Sequence, residues 1–138
     1  MSGLAGVLAG RHDAGVHRWH NALHVPDVQH AVEHAGWTFG YVDGIALESK
    51  KEVLGAIGTA LSFPDHYGGN LDALRDCLRD LPKNTVLLWD GWGSLARARP
   101  EAFEKVCEVL GKHADGEPTL EVLLRGPGPD DTGITSLD

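Results

Sequence analysis

Histidines are the residues of this 138-residue chain that first suggest chemistry, because several of its eight lie near the N-terminus. His17, His20 and His24 follow an H-x2-H-x3-H pattern, and His30 and His34 stand one turn apart on a predicted helix. Two imidazoles at this i, i+4 spacing can bind a transition metal. No cysteine or carboxylate completes a known zinc-site spacing, so histidines scattered over the surface are the simpler interpretation. A weak metal site in this segment stays open as an alternative.

Carboxylates form the second candidate group, in the stretch FPDHYGGNLDALRDCLRDL at residues 63–81. Asp72, Asp76 and Asp80 are four residues apart, which on a helix gives a mildly repulsive row on one face. Asp72 has a structural reason for its place, since the helix dipole favours a carboxylate in the first turn. Asp76 and Asp80 have no such reason. From spacing alone, a solvated face and a binding face are equally consistent with the pattern.

The helix that positions these carboxylates is predicted to begin after Asn70, whose side chain can cap the free amides of the first turn. Its leucines cluster on one side at about 100° per residue, and the charged residues fill the opposite side. Pro82 ends the helix. The prediction is therefore a short helix with one buried and one charged face. The buried face consists of Leu71, Leu74, Leu78 and Leu81.

Catalysis has little support in the sequence. It contains no G-x-S-x-G, P-loop or G-x-G-x-x-G motif, and Gly68-Gly69 lacks the Lys-Ser/Thr that follows a phosphate-binding loop. That glycine pair is better interpreted as a turn. Cys77 and Cys107 border predicted apolar helix faces, which is typical of reduced, buried thiols and not of a nucleophile. We predict a protein that is not an enzyme and needs no cofactor.

Charge restricts the class of partner. The chain has 20 acidic against 12 Lys and Arg residues, a net charge of -8. Nucleic acid and an anionic membrane are disfavoured as partners because their phosphates would be repelled, whereas a cationic protein would be attracted. The opening MSGLAGVLAG is too short an apolar run for a signal peptide or a membrane span, so the predicted location is the cytoplasm.

Strand and helix patterns alternate along the chain, which predicts an α/β fold with a small sheet of three or four parallel strands and about four helices. We expect an N-terminal extension at 1–36, whose first 15 residues form a loose arm, a main domain at 37–125, and a disordered tail at 126–138. The predicted strands are 16–20, 37–42, 85–89 and 119–124. The other predicted helices are 26–36, 48–61 and one that begins at Pro100, after a loop at 90–93.

Residues 66–78, HYGGNLDALRDCL, resemble the Y-Y-G-x-N-L-D-A-L-x-D-x-L pattern of the barstar family of intracellular ribonuclease inhibitors. The order of elements also agrees with that family from about Phe39 to Leu124. The resemblance implies that the loop and helix plug the active site of a small secreted, guanyl-preferring ribonuclease of the barnase type. Asp76 matches the carboxylate that takes the place of substrate phosphate, and Asp72 matches its neighbour. His66 stands where the family usually has a tyrosine.

Three departures from the family pattern bear on the target. Arg75 replaces an aromatic residue, Asp80 and Leu81 replace a glycine–aromatic pair, and the family's contacting glutamate aligns near Gly111 or Lys112. The resemblance therefore implies a related ribonuclease rather than barnase itself, or a barstar-fold module with a different partner. The expected partner-binding residues are His66, Tyr67, Gly68, Gly69, Asn70, Asp72, Arg75, Asp76, Arg79 and Asp80.

Overall fold

A parallel sheet of four strands forms the centre of the protein. The computed structural model describes residues 3–114 and 116–137. In chain order the strands are β1 (Val16–Arg18), β2 (Thr38–Asp43), β3 (Thr85–Asp90) and β4 (Leu120–Arg125). They pair in the order β1-β4-β3-β2, and every pair is parallel. The predicted α/β class is confirmed, and the short N-terminal strand supplies the fourth strand.

Within the described ranges, helices alternate with these strands as the sequence patterns predict, with two additions. The four predicted helices are present, with bounds that differ by one or two residues from those expected. One additional helix lies in the segment expected to be a loose arm. The other begins at the last residue of the predicted loop at 90–93 and covers a stretch before Pro100 for which no element was predicted. Each has only six residues, too few for a helical apolar pattern to repeat. The helices are α1 (Gly3–Leu8), α2 (Val25–His34), α3 (Lys50–Ala60), α4 (Leu71–Arg79), α5 (Gly93–Ala98) and α6 (Pro100–Lys112).

Both faces of the sheet are covered. Helices α3 to α6 pack on the first face, against side chains such as Leu87 and Trp89. Helices α1 and α2 pack on the second face, where Val86 and Leu88 point. The nearly continuous apolar run of β3 therefore serves two cores, because successive side chains of a strand point to opposite faces. The burial of Leu4 and Val7, both from α1, gives the short first helix its tertiary support.

Residues after β4 pair with the open edge of β1, in the parallel direction. The Arg18 N–H donates to the Thr135 carbonyl at 2.9 Å, and the Leu137 N–H donates to the Arg18 carbonyl at 2.8 Å. Leu137 is buried in the second core. This arrangement differs from the disordered tail that the polar, Gly/Pro-rich composition predicts, because one buried leucine and backbone pairing hold the segment. The predicted division at residues 36 and 125 stays a prediction.

In the described part of the chain, no helix combines the length and the apolar composition that a membrane crossing requires.

Candidate functional site

Helix α4 is positioned by its cap and its leucines, as predicted. The Asn70 side chain accepts a 2.8 Å hydrogen bond from the Ala73 N–H and so caps the helix. Leu74 and Leu78 are fully buried against α3, α6 and the sheet. Because this face is fixed in the core, the opposite face of the helix must point to solvent. The expected site residues on that face are therefore held on a rigid element.

The loop before α4 is anchored to α3 through Tyr67. Its ring packs on Phe63 at 5.0 Å between centroids, and its hydroxyl donates to the Leu54 carbonyl at 3.1 Å. Burial is the main cause that raises the pKa of Tyr67 to about 12. The ring lies so close to Gly58 that a Cβ there would meet it at 2.7 Å. Gly69 has a φ of +66°, a conformation that strongly favours glycine and shapes the turn into α4.

The two carboxylates matched to the family pattern are each paired with an arginine three residues later. Asp72 accepts a 2.9 Å bond from Arg75, and Asp76 accepts one from Arg79. These pairs are open to solvent: the Asp72 side chain is 92% exposed and that of Asp76 is 65% exposed. Asp80 is exposed at the C-terminal end of the helix. The face therefore presents alternating charges, with three carboxylates and two guanidinium groups.

The structure places all ten expected site residues on this one loop and helix. Tyr67 and Gly69 are partly buried, and Tyr67 turns its hydroxyl toward α3 rather than toward solvent. The remaining eight side chains or backbones are exposed. Their role in binding stays a prediction. The exposed residues are His66, Gly68, Asn70, Asp72, Arg75, Asp76, Arg79 and Asp80.

Helix α6 packs beside α4 and forms the border of this surface. Lys112, one of the two positions at which the resemblance predicts that a contacting glutamate aligns, is paired with Glu108 at 3.1 Å. His113 follows directly, and its pKa is lowered mainly by burial and also by the nearby Arg79. The border thus offers a cation that is already paired and a histidine whose protonation is disfavoured.

A buried hydrogen-bonded pair that the sequence patterns did not reveal fastens β1 to β4. Glu121 has no solvent exposure, and its carboxylate accepts bonds from His17 Nδ1 and the Gly15 N–H, both at 2.8 Å. Burial raises the pKa of Glu121, whereas the hydrogen bond to Glu121 raises the pKa of His17. The feature of the sequence that could have indicated this pair is Glu121 itself, a charged residue inside the apolar run of β4. It is the only buried acidic residue in the described part of the chain.

This pair also bears on the N-terminal histidines. The His17 ring is hydrogen-bonded to Glu121, and His20 Nδ1 lies 3.1 Å from the Ser136 hydroxyl. Across residues 3–114 and 116–137, no group of three His, Cys, Asp or Glu side chains is placed to hold a metal ion. The H-x2-H-x3-H pattern therefore does not gather into a three-ligand site.

The carboxyl edge of the sheet, where open α/β folds commonly bind ligands, carries a second polar cluster. Arg125 donates from Nε and a terminal nitrogen to the two carboxylate oxygens of Asp90, at 2.6 and 2.9 Å. The Tyr41 hydroxyl donates to the same carboxylate at 2.9 Å, and Arg125 also reaches the Leu23 carbonyl at 2.6 Å. The polar groups of this cluster therefore use one another as hydrogen-bond partners, and their bonds hold the loops at this edge together.

Both cysteines are free thiols, and the surroundings of each disfavour the reactive thiolate. Burial raises the pKa of Cys107 to about 12. The pKa of Cys77 is raised by burial first and then by the carboxylates of Asp80 and Asp76. Neither thiol is therefore set up as a nucleophile at neutral pH.

Known proteins resemble this chain in sequence and in fold. Residues 37–123 match the family model described as Barstar (barnase inhibitor). The chain is 36% identical over 85 residues to a Bacillus subtilis (strain 168) protein named "Putative ribonuclease inhibitor YrdF", a match that covers 59% of this chain and 77% of that protein.

Among solved structures, the Aeropyrum pernix ORC2 protein, determined as ADPNP-ADP complexes, superposes with a TM-score of 0.61 at 16% identity. The superposition covers 91% of this chain but only 38% of the ORC2 chain. At this identity the likeness concerns the fold alone. It covers more of the chain than residues 37–123, so it also includes residues outside the family match.

Proposed function

The chain belongs to the barstar family, and on that premise we propose that it inhibits a ribonuclease by blocking the enzyme's active site with the loop and helix at residues 63–81. The family match at 37–123 contains this whole surface. The relative from Bacillus subtilis, itself named as a ribonuclease inhibitor, supports the same role. The inhibitor contributes no chemistry of its own; it acts by reversible occupation of the site.

The physical basis is the chemistry of a ribonuclease active site. Such a site holds the phosphates of RNA, and it therefore presents arginine, lysine or histidine side chains. A carboxylate on a rigid helix can take the place of a phosphate and exclude the substrate. The Asn70 cap and the Tyr67 anchor fix the segment before binding, which reduces the ordering cost of association.

The observation that carries the proposal is the position of Asp76 at the middle of the solvent face of α4, 65% exposed, within the matched family region. Its intrachain partner Arg79 is equally exposed. An exposed pair of this kind stabilises the free protein by only about 0–1 kcal/mol. Asp76 can therefore exchange Arg79 for a cation of the enzyme at small cost.

Arg75 and Arg79 narrow the choice of enzyme. A ribonuclease whose contact surface is cationic throughout would repel both guanidinium groups. We therefore expect the cognate enzyme to be a secreted, guanyl-preferring ribonuclease related to barnase that presents a neutral or acidic group opposite Arg75. A barstar-fold module that binds a protein of another class is the second candidate, and the mixed charges of this face are the observation that favours it.

The test is an inhibition assay against a panel of small secreted microbial guanyl-preferring ribonucleases. We expect the full chain to abolish RNA cleavage by at least one of them. Asp76→Ala should weaken that inhibition by about 2 kcal/mol or more, roughly thirtyfold, as for an interface hot spot. The largest known effect of this kind at an interface comes from a member of the barstar family, so the expected size rests on the family relation.

Glu48→Ala is the matched control, because it removes an exposed carboxylate outside the proposed surface. It should leave inhibition unchanged. If Asp76→Ala inhibits as well as the parent, the phosphate-mimic role of Asp76 is wrong. If no ribonuclease of the panel is inhibited and the chain captures a protein of another class from its source cells, the second candidate replaces the first.

A further inference from the structure

Two histidines on the solvent face of α2 have no part in the proposed inhibition. The rings of His30 and His34 are stacked, with centroids 6.1 Å apart and an angle of 21° between their planes. Both residues are exposed. On the opposite side of the helix, Val28 and Val32 are fully buried, which fixes the face on which the two rings stand.

The nitrogens of these rings are free to act as ligands. Among the described residues, neither His30 nor His34 has a hydrogen-bond or ion-pair partner, in contrast to His17, which is held by Glu121. Imidazoles one turn apart on a helix present their nitrogens to one volume of solvent, the arrangement that binds zinc in helical metal motifs. Because the backbone of α2 is already ordered by its buried face, binding requires only rotation of the two side chains.

The charges around the pair also favour a cation. Helix α2 contains two carboxylates, Asp27 and Glu33, and no lysine or arginine. Asp27 precedes His30 by three residues on an exposed part of the helix, and Glu33 accepts a 3.2 Å bond from Gln29. A metal bound to the two imidazoles would therefore be near two negative charges and opposed by no positive charge from its own helix.

We propose that His30 and His34 form a bidentate surface site for a divalent transition-metal ion, with water completing the coordination. Two imidazole ligands without thiolate favour Cu²⁺ over Ni²⁺ and Zn²⁺ in affinity. The site lies on α2, outside the loop and helix at 63–81, so it is independent of ribonuclease inhibition. It differs from the three-histidine pattern His17–His20–His24, which the fold does not assemble.

The experiment is titration of the full chain, without an affinity tag, with CuCl₂, NiCl₂ and ZnCl₂ by isothermal calorimetry. We expect one ion per chain at this site, removed by EDTA. His30→Ala and His34→Ala should each raise the Kd by roughly tenfold or more, because one ligand loses the effective concentration that the other provides. His24→Ala, which removes a neighbouring exposed histidine, should leave the Kd unchanged.

A spacing control separates chelation from histidine content. The double variant Ala31→His/His34→Ala keeps two exposed histidines on α2 but places them about 100° apart on the helix, where they do not face each other. It should bind as weakly as His34→Ala, with the same helical circular dichroism as the parent. Parent-like affinity in this double variant, or in His30→Ala and His34→Ala, would overturn the proposal.

Discussion

Among residues 3–114 and 116–137, Glu121 is the one acidic residue that is buried. It has no solvent exposure, and burial raises its pKa even though His17 and the Gly15 amide both stabilise the charged form. The pKa of His17 is raised as well. Both folded-state pKa values therefore lie above the ordinary ones, so both groups hold protons more tightly in the folded protein than in the unfolded chain.

This shared direction fixes the sign of a pH dependence. Where the folded state binds more protons, stability is greatest at low pH and is lost as the pH rises through the folded pKa values. Between about pH 6 and pH 8.5 the parent should therefore lose more stability than Glu121→Gln, which removes the carboxylate and the cause of the raised His17 pKa. Urea denaturation of both proteins at the two pH values measures this difference.

His113 also contributes to the pH dependence of stability, and the comparison of the parent with Glu121→Gln controls for it. The lowered pKa of His113 acts in the opposite sense, with stability lost as the pH falls through the ordinary value of a histidine. Its contribution is common to the parent and to Glu121→Gln and cancels in the difference. An equal loss of stability in the two proteins would show that the buried pair does not titrate in this range.

At the scale of elements, glycines in α3 decide how closely the loop at 63–70 can approach. A Cβ at Gly58 would meet the Tyr67 ring at 2.7 Å, whereas a Cβ at Gly55, one turn earlier, would have nothing within 4 Å. Both positions lie inside the same helix. Replacing either glycine by alanine therefore changes the helix propensity by the same amount, but only the change at Gly58 disturbs the packing of Tyr67.

We expect Gly55→Ala to stabilise the protein by about 0.5–1 kcal/mol, the usual advantage of alanine over glycine inside a helix. Gly58→Ala gains the same advantage but forces the Tyr67 ring away, at a cost of about 1–3 kcal/mol. Its net effect should be destabilising, with weaker ribonuclease inhibition because the loop shifts. Thermal or chemical unfolding compares the two variants. If both stabilise the protein equally, Tyr67 does not anchor the loop.

Elements were predicted from the sequence where one face is apolar over at least two turns, as in α4. Its cap is confirmed, and so is the burial of Leu74, Leu78 and Leu81, whereas Leu71 is only partly buried. The six-residue helices α1 and α5 were missed because each has fewer than two helical turns, too few for an apolar pattern to repeat. Within the candidate site, spacing placed Asp76 on the solvent face, and its ion pair with Arg79 followed from their separation. The inward hydroxyl of Tyr67 was not predictable, because it depends on α3.

At the scale of the whole molecule, the segments outside the family match complete the second face of the sheet. Helices α1 and α2 cover Val86 and Leu88, and the C-terminal residues pair with β1. Buried surface therefore joins the N-terminal segment, the matched region and the C-terminal residues. We infer that the sheet, which supports the loop and helix at 63–81 on its first face, is stabilised on its second face by residues from both ends of the chain.

Leu137 tests this inference. Its side chain is 5% exposed, and Leu137→Ala should cost about 2 kcal/mol or more, the usual cost of removing a buried leucine side chain. Leu23→Ala is the matched control, because Leu23 is 44% exposed and an exposed truncation changes stability by about 0.5 kcal/mol or less. Unfolding should remain a single transition. Equal effects of the two substitutions would show that the C-terminal residues are not part of the cooperative core.

The net charge of -8 predicts how salt affects the proposed association with a ribonuclease whose active site is cationic. Association steered by opposite charges slows as salt is added, because the Debye length falls to about 10 Å at 0.1 M ionic strength. Stopped-flow measurements with an inhibited ribonuclease should therefore show an association rate that decreases steeply with ionic strength, while the dissociation rate changes little. Asp80→Asn removes one charge from the exposed end of α4 and should make this salt dependence less steep. Glu48→Ala controls for net charge alone, and an association rate indifferent to salt would exclude a charge-guided interface.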